Sequence, residues 1–334
     1  MKFDLHILND TDWSDFHFAF NPVFGHQYAR INRADYQVYR YSGKVTGFIP
    51  VLLKKSKFFR TIQLLCYPAD DDGNKLNHQD EKYVLEHFVQ FLKEKKIAHR
   101  IVQGTNWALF SSVPTDAKYC NFGSYQLNLK EKTQEQICTE IHPKHRNVIR
   151  NAEKSGAKIL EGADQLAIFY SLYSKTMLRN NMYCEPFEFF ESVLKDCSGI
   201  YCGVVYYNDE PQGAIYAPYS KFGGYYVYGA SAEKITLTGA INFLHFQFIH
   251  FLMENHVAQY DFVGARLSAI EGTKYEGIQK FKARFGGELL KGFLWKIDLN
   301  TNICFIYDTL LKAKLMLKNK QVPKDIIDQE RSKL

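Results

Sequence analysis

Five stretches of this sequence carry side chains whose types and spacing could do chemistry. Arg30, in His26-Gln27-Tyr28-Ala29-Arg30-Ile31, and Arg179, in Met177-Leu178-Arg179-Asn180-Asn181, offer guanidinium forks that match phosphate oxygens bidentately. Arg179 also ends an apolar helical pattern, where a cation answers the helix dipole without any ligand. Lys144, His145, Arg146, Arg150 and Lys154 crowd one segment, and the i, i+4 spacing puts Arg146, Arg150 and Lys154 on one helical face. Such a stripe could contact RNA phosphates; as a solvated face covering a domain junction it would have the same pattern. Asp261 closes a short apolar strand just before Gly264, where it could position a substrate or Arg266, or simply form the turn. His245 and His250, five apart on a Phe-rich helix, lack metal-pair spacing and read as core or boundary histidines. There is no G-x-S-x-G, no P-loop and no dinucleotide fingerprint, which counts against hydrolase, ATPase and dehydrogenase chemistry.

The elements that must position these residues show in the composition and the patterning. A chain of 334 residues suits two domains rather than one. With 46% apolar and 23% charged residues it is globular in character. The 26 Phe, 22 Tyr and 3 Trp point to wide sheets around a large core. No apolar run is long enough for a membrane span, and the N-terminal residues do not resemble a signal peptide. Seven scattered cysteines without a C-x-x-C imply reduced thiols in a cytoplasmic, metal-free protein. The net charge of +6 permits an anionic partner without requiring one.

Residues 38–53 and 204–219 align without gaps, matching Val38 with Val204, Tyr41 with Tyr207, Gly47 with Gly213 and Ile49 with Ile215. Each copy reads as a strand, a polar turn and a second strand, the signature of a hairpin. Each is followed by another strand, a helix (near 80–95 or 239–255) and a short apolar strand (near 100–103 or 260–263). The chain therefore reads as two α/β (α+β) modules in tandem, each a mixed, mainly antiparallel sheet flanked by helices. The first covers 1–136 and the second 137–304. Residues 305–320 read as a basic amphipathic helix; the segment 305–334 is expected to pack back on the first module, with a membrane surface as the alternative.

The second half, with helices near 144–155, 164–180 and from 186, a third strand at 223–229 and a last strand at 289–299, has the element order of GNAT-type N-acyltransferases. Three of its segments resemble the Fem family of aminoacyltransferases, which build peptidoglycan interpeptide bridges. They are Lys144-His145-Arg146 through Gly156, Tyr228-Gly229-Ala230-Ser231, and Tyr260-Asp261-Phe262-Val263-Gly264 followed by Phe281-Lys282-Ala283-Arg284-Phe285-Gly286. The resemblance implies two tandem GNAT-like modules and transfer of an aminoacyl group from charged tRNA to an amine of a nucleotide- or lipid-linked muropeptide. It places Arg30 and Arg179 at acceptor phosphates, Tyr228 in the site and Lys282 near the reacting groups. Lys282 would then charge-stabilise the oxyanion or the leaving 2′/3′-hydroxyl; without the resemblance it reads as a solvated charge on a strand or loop. No cofactor, no DNA and no membrane span are implied. The long helical arm of some members is missing, so tRNA recognition through it is not available.

One segment discriminates among donors. Acetyl-CoA-dependent GNAT enzymes carry Q/R-x-x-G-x-G/A before the helix that grips the pyrophosphate. Here Lys234-Ile235-Thr236-Leu237-Thr238-Gly239-Ala240-Ile241 supplies no such register, which disfavours acetyl-CoA. Two alternatives stay open: an acyl-CoA-dependent N-acyltransferase acting on a sugar or small amine, and a catalytically silent binding protein of the same fold.

Overall fold

A computed structural model describes residues 4–7, 26–268, 270–318, 322 and 324–333, with backbone alone at 26 and 27. The first half runs β1 (Asp4–Ile7), α1 (His26–Ile31), β2 (Asp35–Ser42), β3 (Gly47–Lys55), β4 (Arg60–Leu64), β5 (Ala69–Asp70), α2 (His78–Glu94), β6 (Arg100–Val102) and β7 (Lys118–Asn128). Next come α3 (Gln134–Glu140), α4 (Pro143–Lys154), β8 (Lys158–Glu161), α5 (Leu166–Arg179), α6 (Phe187–Asp196), β9 (Ile200–Tyr207) and β10 (Glu210–Pro218). The chain continues through β11 (Gly224–Tyr225), β12 (Tyr228–Ser231), α7 (Ala240–Glu254), β13 (Gln259–Asp261), β14 (Ala265–Arg266), α8 (Lys274–Ala283) and β15 (Glu288–Asp298), and closes with α9 (Thr301–Met316) and α10 (Ile326–Arg331).

Both expected hairpins form: β2 pairs with β3, and β9 with β10. The second turns on Asn208 and Asp209 alone, both at positive φ as a two-residue turn of matching twist requires, so Glu210 and Pro211 already belong to β10. Side chains alternate across the sheet. From β9 and β10, Cys202, Val204, Ala214 and Tyr216 face α5 and α6, while Tyr201, Val205, Ile215 and Ala217 face α4 and α7. The core on the α5–α6 side is shared by the two halves: Tyr36, Val38, Phe48 and Leu52 of the first pack with Phe169, Tyr173, Phe190 and Tyr216 of the second.

Two departures from the simple tandem reading shape the site. The strand expected at 223–229 is split. Gly224-Tyr225 pairs parallel to β13 in the long sheet, whereas Tyr228–Ser231 pairs antiparallel to β10 in a separate four-stranded sheet ordered β12-β10-β9-β8. The two sheets diverge at Tyr226-Val227 and leave a wedge. The long sheet is also continuous across both halves, in the order β1-β2-β3-β4-β6-β15-β7-β13-β11. In it the halves exchange strands: β7, from the first half, lies against β13, and the end of β15, from the second, lies against β6.

The C-terminal segment returns to these strands. On α9, Asp308 takes a bidentate pair from Arg100 (3.0 and 2.8 Å), and Tyr307 stacks on Phe59 at 3.9 Å. On α10, Ile327 is buried among Cys120, Phe122 and Leu294. No helix among the described residues is long and apolar enough to cross a membrane.

Candidate active site

The wedge between the diverging strands opens into a cavity of about 1010 Å³. Gly229, Ala230 and Ser231 form one wall and Phe262 to Arg266 the other; Tyr226 and His245 lie deep, and α8 closes it with Tyr275, Gln279 and Lys282. The first turn of α7, Gly239 to Asn242, also faces it. Gly239 is required there. Its φ is +90°, and a Cβ would lie 2.3 Å from the Val148 carbonyl of α4. No side chain caps this end of α7; the Ala240 N–H turns back to the Leu237 carbonyl (3.2 Å), and Ile241 and Asn242 line the cavity.

Lys282 is the buried charge of this cavity, only 6% exposed, and it sits on α8 rather than on a solvated strand or loop. Its Nζ donates to the Val263 and Gly264 carbonyls at 2.5 and 2.6 Å. Those carbonyls are aimed by an unusual turn: Val263 and Gly264 both lie in the left-handed region, at φ 47° and 75°. For a β-branched residue this conformation is strained and must be held by its surroundings. Asp261 does the holding, since its carboxylate accepts the Val263 N–H at 2.7 Å. Gln126 Nε2 (2.8 Å) and the Ser124 hydroxyl, both from β7, also donate to that carboxylate.

Burial pushes the Lys282 ammonium down to about 8, against the pull of Asp261. Burial raises the Asp261 carboxyl, opposed by its hydrogen bonds from Ser124, Gln126 and Val263. A lysine with two N–H groups committed to carbonyls has one position left, and Lys282 lines the cavity. Charged, that position is a third donor; neutral, it is a lone pair. His245 stands nearby with Nδ1 2.8 Å from the Tyr260 hydroxyl, and its Nε2 has no hydrogen-bond partner among the described residues. Burial, with the Lys282 charge second, depresses it to about 3, so the ring is a neutral imidazole.

The structure brings together some of the residues singled out from sequence and separates others. Lys282 and Asp261 meet through the turn. Arg179 reaches the cavity rim, where it donates to the Ser231 carbonyl (2.9 Å) and the Thr176 hydroxyl (3.1 Å). Tyr228 points the other way. It lies opposite Tyr216 in the register and packs edge-on to Phe190 at 5.0 Å and Tyr173 at 5.8 Å, in the core shared by the halves. Arg30 pairs with Asp196 at the end of α6, at 3.0 Å. On α4, Lys144 and Arg150 are exposed, but Arg146 is turned back to the Thr139 and Cys138 carbonyls of α3.

Asp261 does not bond Arg266, as the sequence had suggested it could. Arg266 instead pairs with Glu330 of α10 (2.5 Å) and lies 4.8 Å from the Tyr275 ring centre. Sequence reasoning missed Ser124, Gln126 and Glu330 because their partners lie far along the chain. The spare nitrogen of His245 had no signal at all beyond the histidine itself.

A split strand, a wedge, and an uncapped helix pointing into it define a GNAT-type acyltransferase domain. The Acetyltransferase (GNAT) domain model matches residues 143–281. The FemAB family model matches residues 16–197, more than half of the sequence, and the chain belongs to the FemAB family. Among solved structures, FemX is similar over 91% of this chain and 99% of its own, with a TM-score of 0.66 and 12% identity. The C-terminal domain of a putative lysylphosphatidylglycerol synthetase from Agrobacterium fabrum is similar over 90% and 95% (TM-score 0.52, 11% identity). A conserved protein of unknown function from Bacteroides thetaiotaomicron is similar over 89% and 100% (TM-score 0.51, 13% identity). At these identities the likeness is one of fold, two GNAT-like modules in tandem. No curated protein matches the sequence at a significant level.

Proposed function

We propose that this protein is a cytoplasmic, metal- and cofactor-independent aminoacyltransferase. It would move an aminoacyl group from charged tRNA to an amine of a nucleotide- or lipid-linked peptidoglycan precursor. The observation that carries this reading is Lys282, a cation buried in the cavity wall and pinned by two carbonyls with one position left for a ligand.

The donor ester is already activated, so the reaction needs alignment and charge stabilisation rather than a covalent enzyme intermediate. The amine nitrogen attacks the ester carbonyl, the C–N bond forms, and the third Lys282 N–H donates to the oxyanion. The C–O bond to the tRNA hydroxyl then breaks, and the proton lost by the amine goes to that leaving oxygen. Asp261 acts as a positioning residue, since it holds the turn that aims both carbonyls at Lys282. Arg179 at the rim and Arg30 at the junction of the halves are the cations assigned to acceptor phosphates. The exposed Lys144 and Arg150 of α4 are assigned to the tRNA backbone.

One observation favours a second reading. The uncapped N-terminus of α7 could hold the pyrophosphate of an acyl-CoA even without the usual loop residues. Thermal-shift measurements with UDP-muropeptides, acyl-CoAs and RNA, alongside transfer assays with labelled aminoacyl-tRNA, separate the two. Transfer that requires Lys282 supports the first. Stabilisation by acyl-CoA alone overturns it, and neither stabilisation nor transfer leaves a silent binding protein.

A further inference from the structure

The outward face of α9 is largely apolar, although the first half of the helix is already anchored from its other side. Cys304, Tyr307, Asp308, Leu311 and Leu315 turn towards the protein, where Cys304 is buried, Tyr307 stacks on Phe59 and Asp308 binds Arg100. At 3.6 residues per turn, Phe305, Ile306, Leu310, Met316 and Leu317 fall together on an opposite arc of about 140°, which also carries the exposed Asn302, Thr309 and Ala313. Their exposure runs from 58% at Ile306 to 89% at Leu317. Lys312 borders this arc on one side and Lys314 on the other, both exposed. The only acid of the helix, Asp308, faces inward to Arg100. Phe58, 77% exposed and next to the Phe59 that stacks on α9, adds a further ring beside Lys57.

We propose that α9 is a docking surface for an anionic lipid bilayer, lying flat in the interface with its apolar arc among the acyl chains and its lysines at the headgroups. Three features on this surface point to a bilayer. Cys304, Tyr307 and Asp308 anchor the helix from its inner side, so the opposite face is turned outward. The apolar stripe is bordered on both sides by cations that can snorkel to phosphate level. A two-fold pairing with a second copy would instead bring the flanking lysines of one helix against those of the other, and the helix's one acid, Asp308, is already paired with Arg100. This inference holds whichever acyl donor the cavity takes.

The test is flotation of the full chain with vesicles of phosphatidylcholine alone and of phosphatidylcholine with about one-third phosphatidylglycerol. Binding is expected to the anionic vesicles and to weaken with salt. Each of Lys312→Gln and Lys314→Gln should lower partitioning about fivefold. The pair Leu310→Glu with Leu317→Glu should abolish binding while leaving the melting temperature and the overall dichroism unchanged, because both side chains are solvent-exposed. No binding to anionic vesicles at low salt overturns the proposal, as does binding that survives the double glutamate variant. A concentration-dependent dimer that the same variant dissolves assigns the face to a second copy and equally overturns it.

Discussion

Lys282 makes a quantitative test of the site possible without knowledge of either substrate. Its ammonium is held at about 8, chiefly by burial, whereas in the unfolded chain it returns to the ordinary 10.5. Between those values the unfolded state binds a proton that the folded state has released, so stability rises with pH across that window. Below pH 8 both states are protonated and the contribution is flat. The gain expected from pH 7 to pH 10 is roughly 2.5 kcal/mol, from a slope of about 1.4 kcal/mol per unit that flattens at both ends. Other groups titrate over the same range, so the quantity to measure is the difference between the wild-type protein and Lys282→Met. Both should be unfolded by urea at several values between pH 7 and pH 10, with their m-values compared for consistency. The constant offset between them also contains the hydrogen bonds lost at Val263 and Gly264, but the pH dependence does not. A difference that stays flat over the whole range would refute the buried charge and, with it, the reading of Lys282 as a perturbed catalytic cation.

Other expectations concern activity and packing. Lys282→Met should lower kcat about 10²–10³-fold, as loss of a single oxyanion donor does in other acyl-transfer enzymes. In the wild-type enzyme the rate should fall as pH rises through about 8, where Lys282 loses its charge. Lys282→Arg, charged throughout the accessible range, should lose that falling limb in whatever activity remains, and a limb that persists would exclude Lys282 as its origin. Gly239→Ala should destabilise the protein by about 1–3 kcal/mol or more in urea titrations, because it combines a positive φ with a Cβ driven onto the Val148 carbonyl. Glu330→Ala should cost about 3–5 kcal/mol, since it removes the buried carboxylate that pairs with Arg266, leaving that guanidinium only Gln329 and the Tyr275 ring. Burial works against the Glu330 carboxylate, but hydrogen bonds from Lys333, Ser268 and Arg266 hold it below its ordinary value. Its stabilisation is therefore present above the ordinary carboxylate range and lost as pH falls through the folded value, so Glu330→Gln should be the less acid-sensitive protein.

Much of the architecture was legible in order along the chain because it depends on local pattern. Alternating aromatic and β-branched residues declared both hairpins, and the apolar periodicity of 239–255 declared α7 to within a residue or two at each end. The strand at 223–229 was legible as a strand but not as a divided one. Nothing local in Tyr225-Tyr226-Val227-Tyr228 says that two sheets part there; the choice is made by β13 on one side and β10 on the other. Tyr228 illustrates the limit for side chains. The family resemblance suggested a place in the site, yet the pleat that pairs it with Tyr216 turns it into the aromatic core around Phe190.

The sequence by itself carried the family resemblance and the doubled module, because these rest on residue type, period and spacing, and the resemblance pointed to Lys282. Only the tertiary structure decided what that cation is. Lys282 would be an ordinary lysine on a short helix but for a turn held in the left-handed region by Asp261. Asp261 in turn is fixed by Ser124 and Gln126, more than a hundred residues away on a strand exchanged from the other half. Burial and charge compensation are properties of that assembled neighbourhood, and no window along the chain contains them.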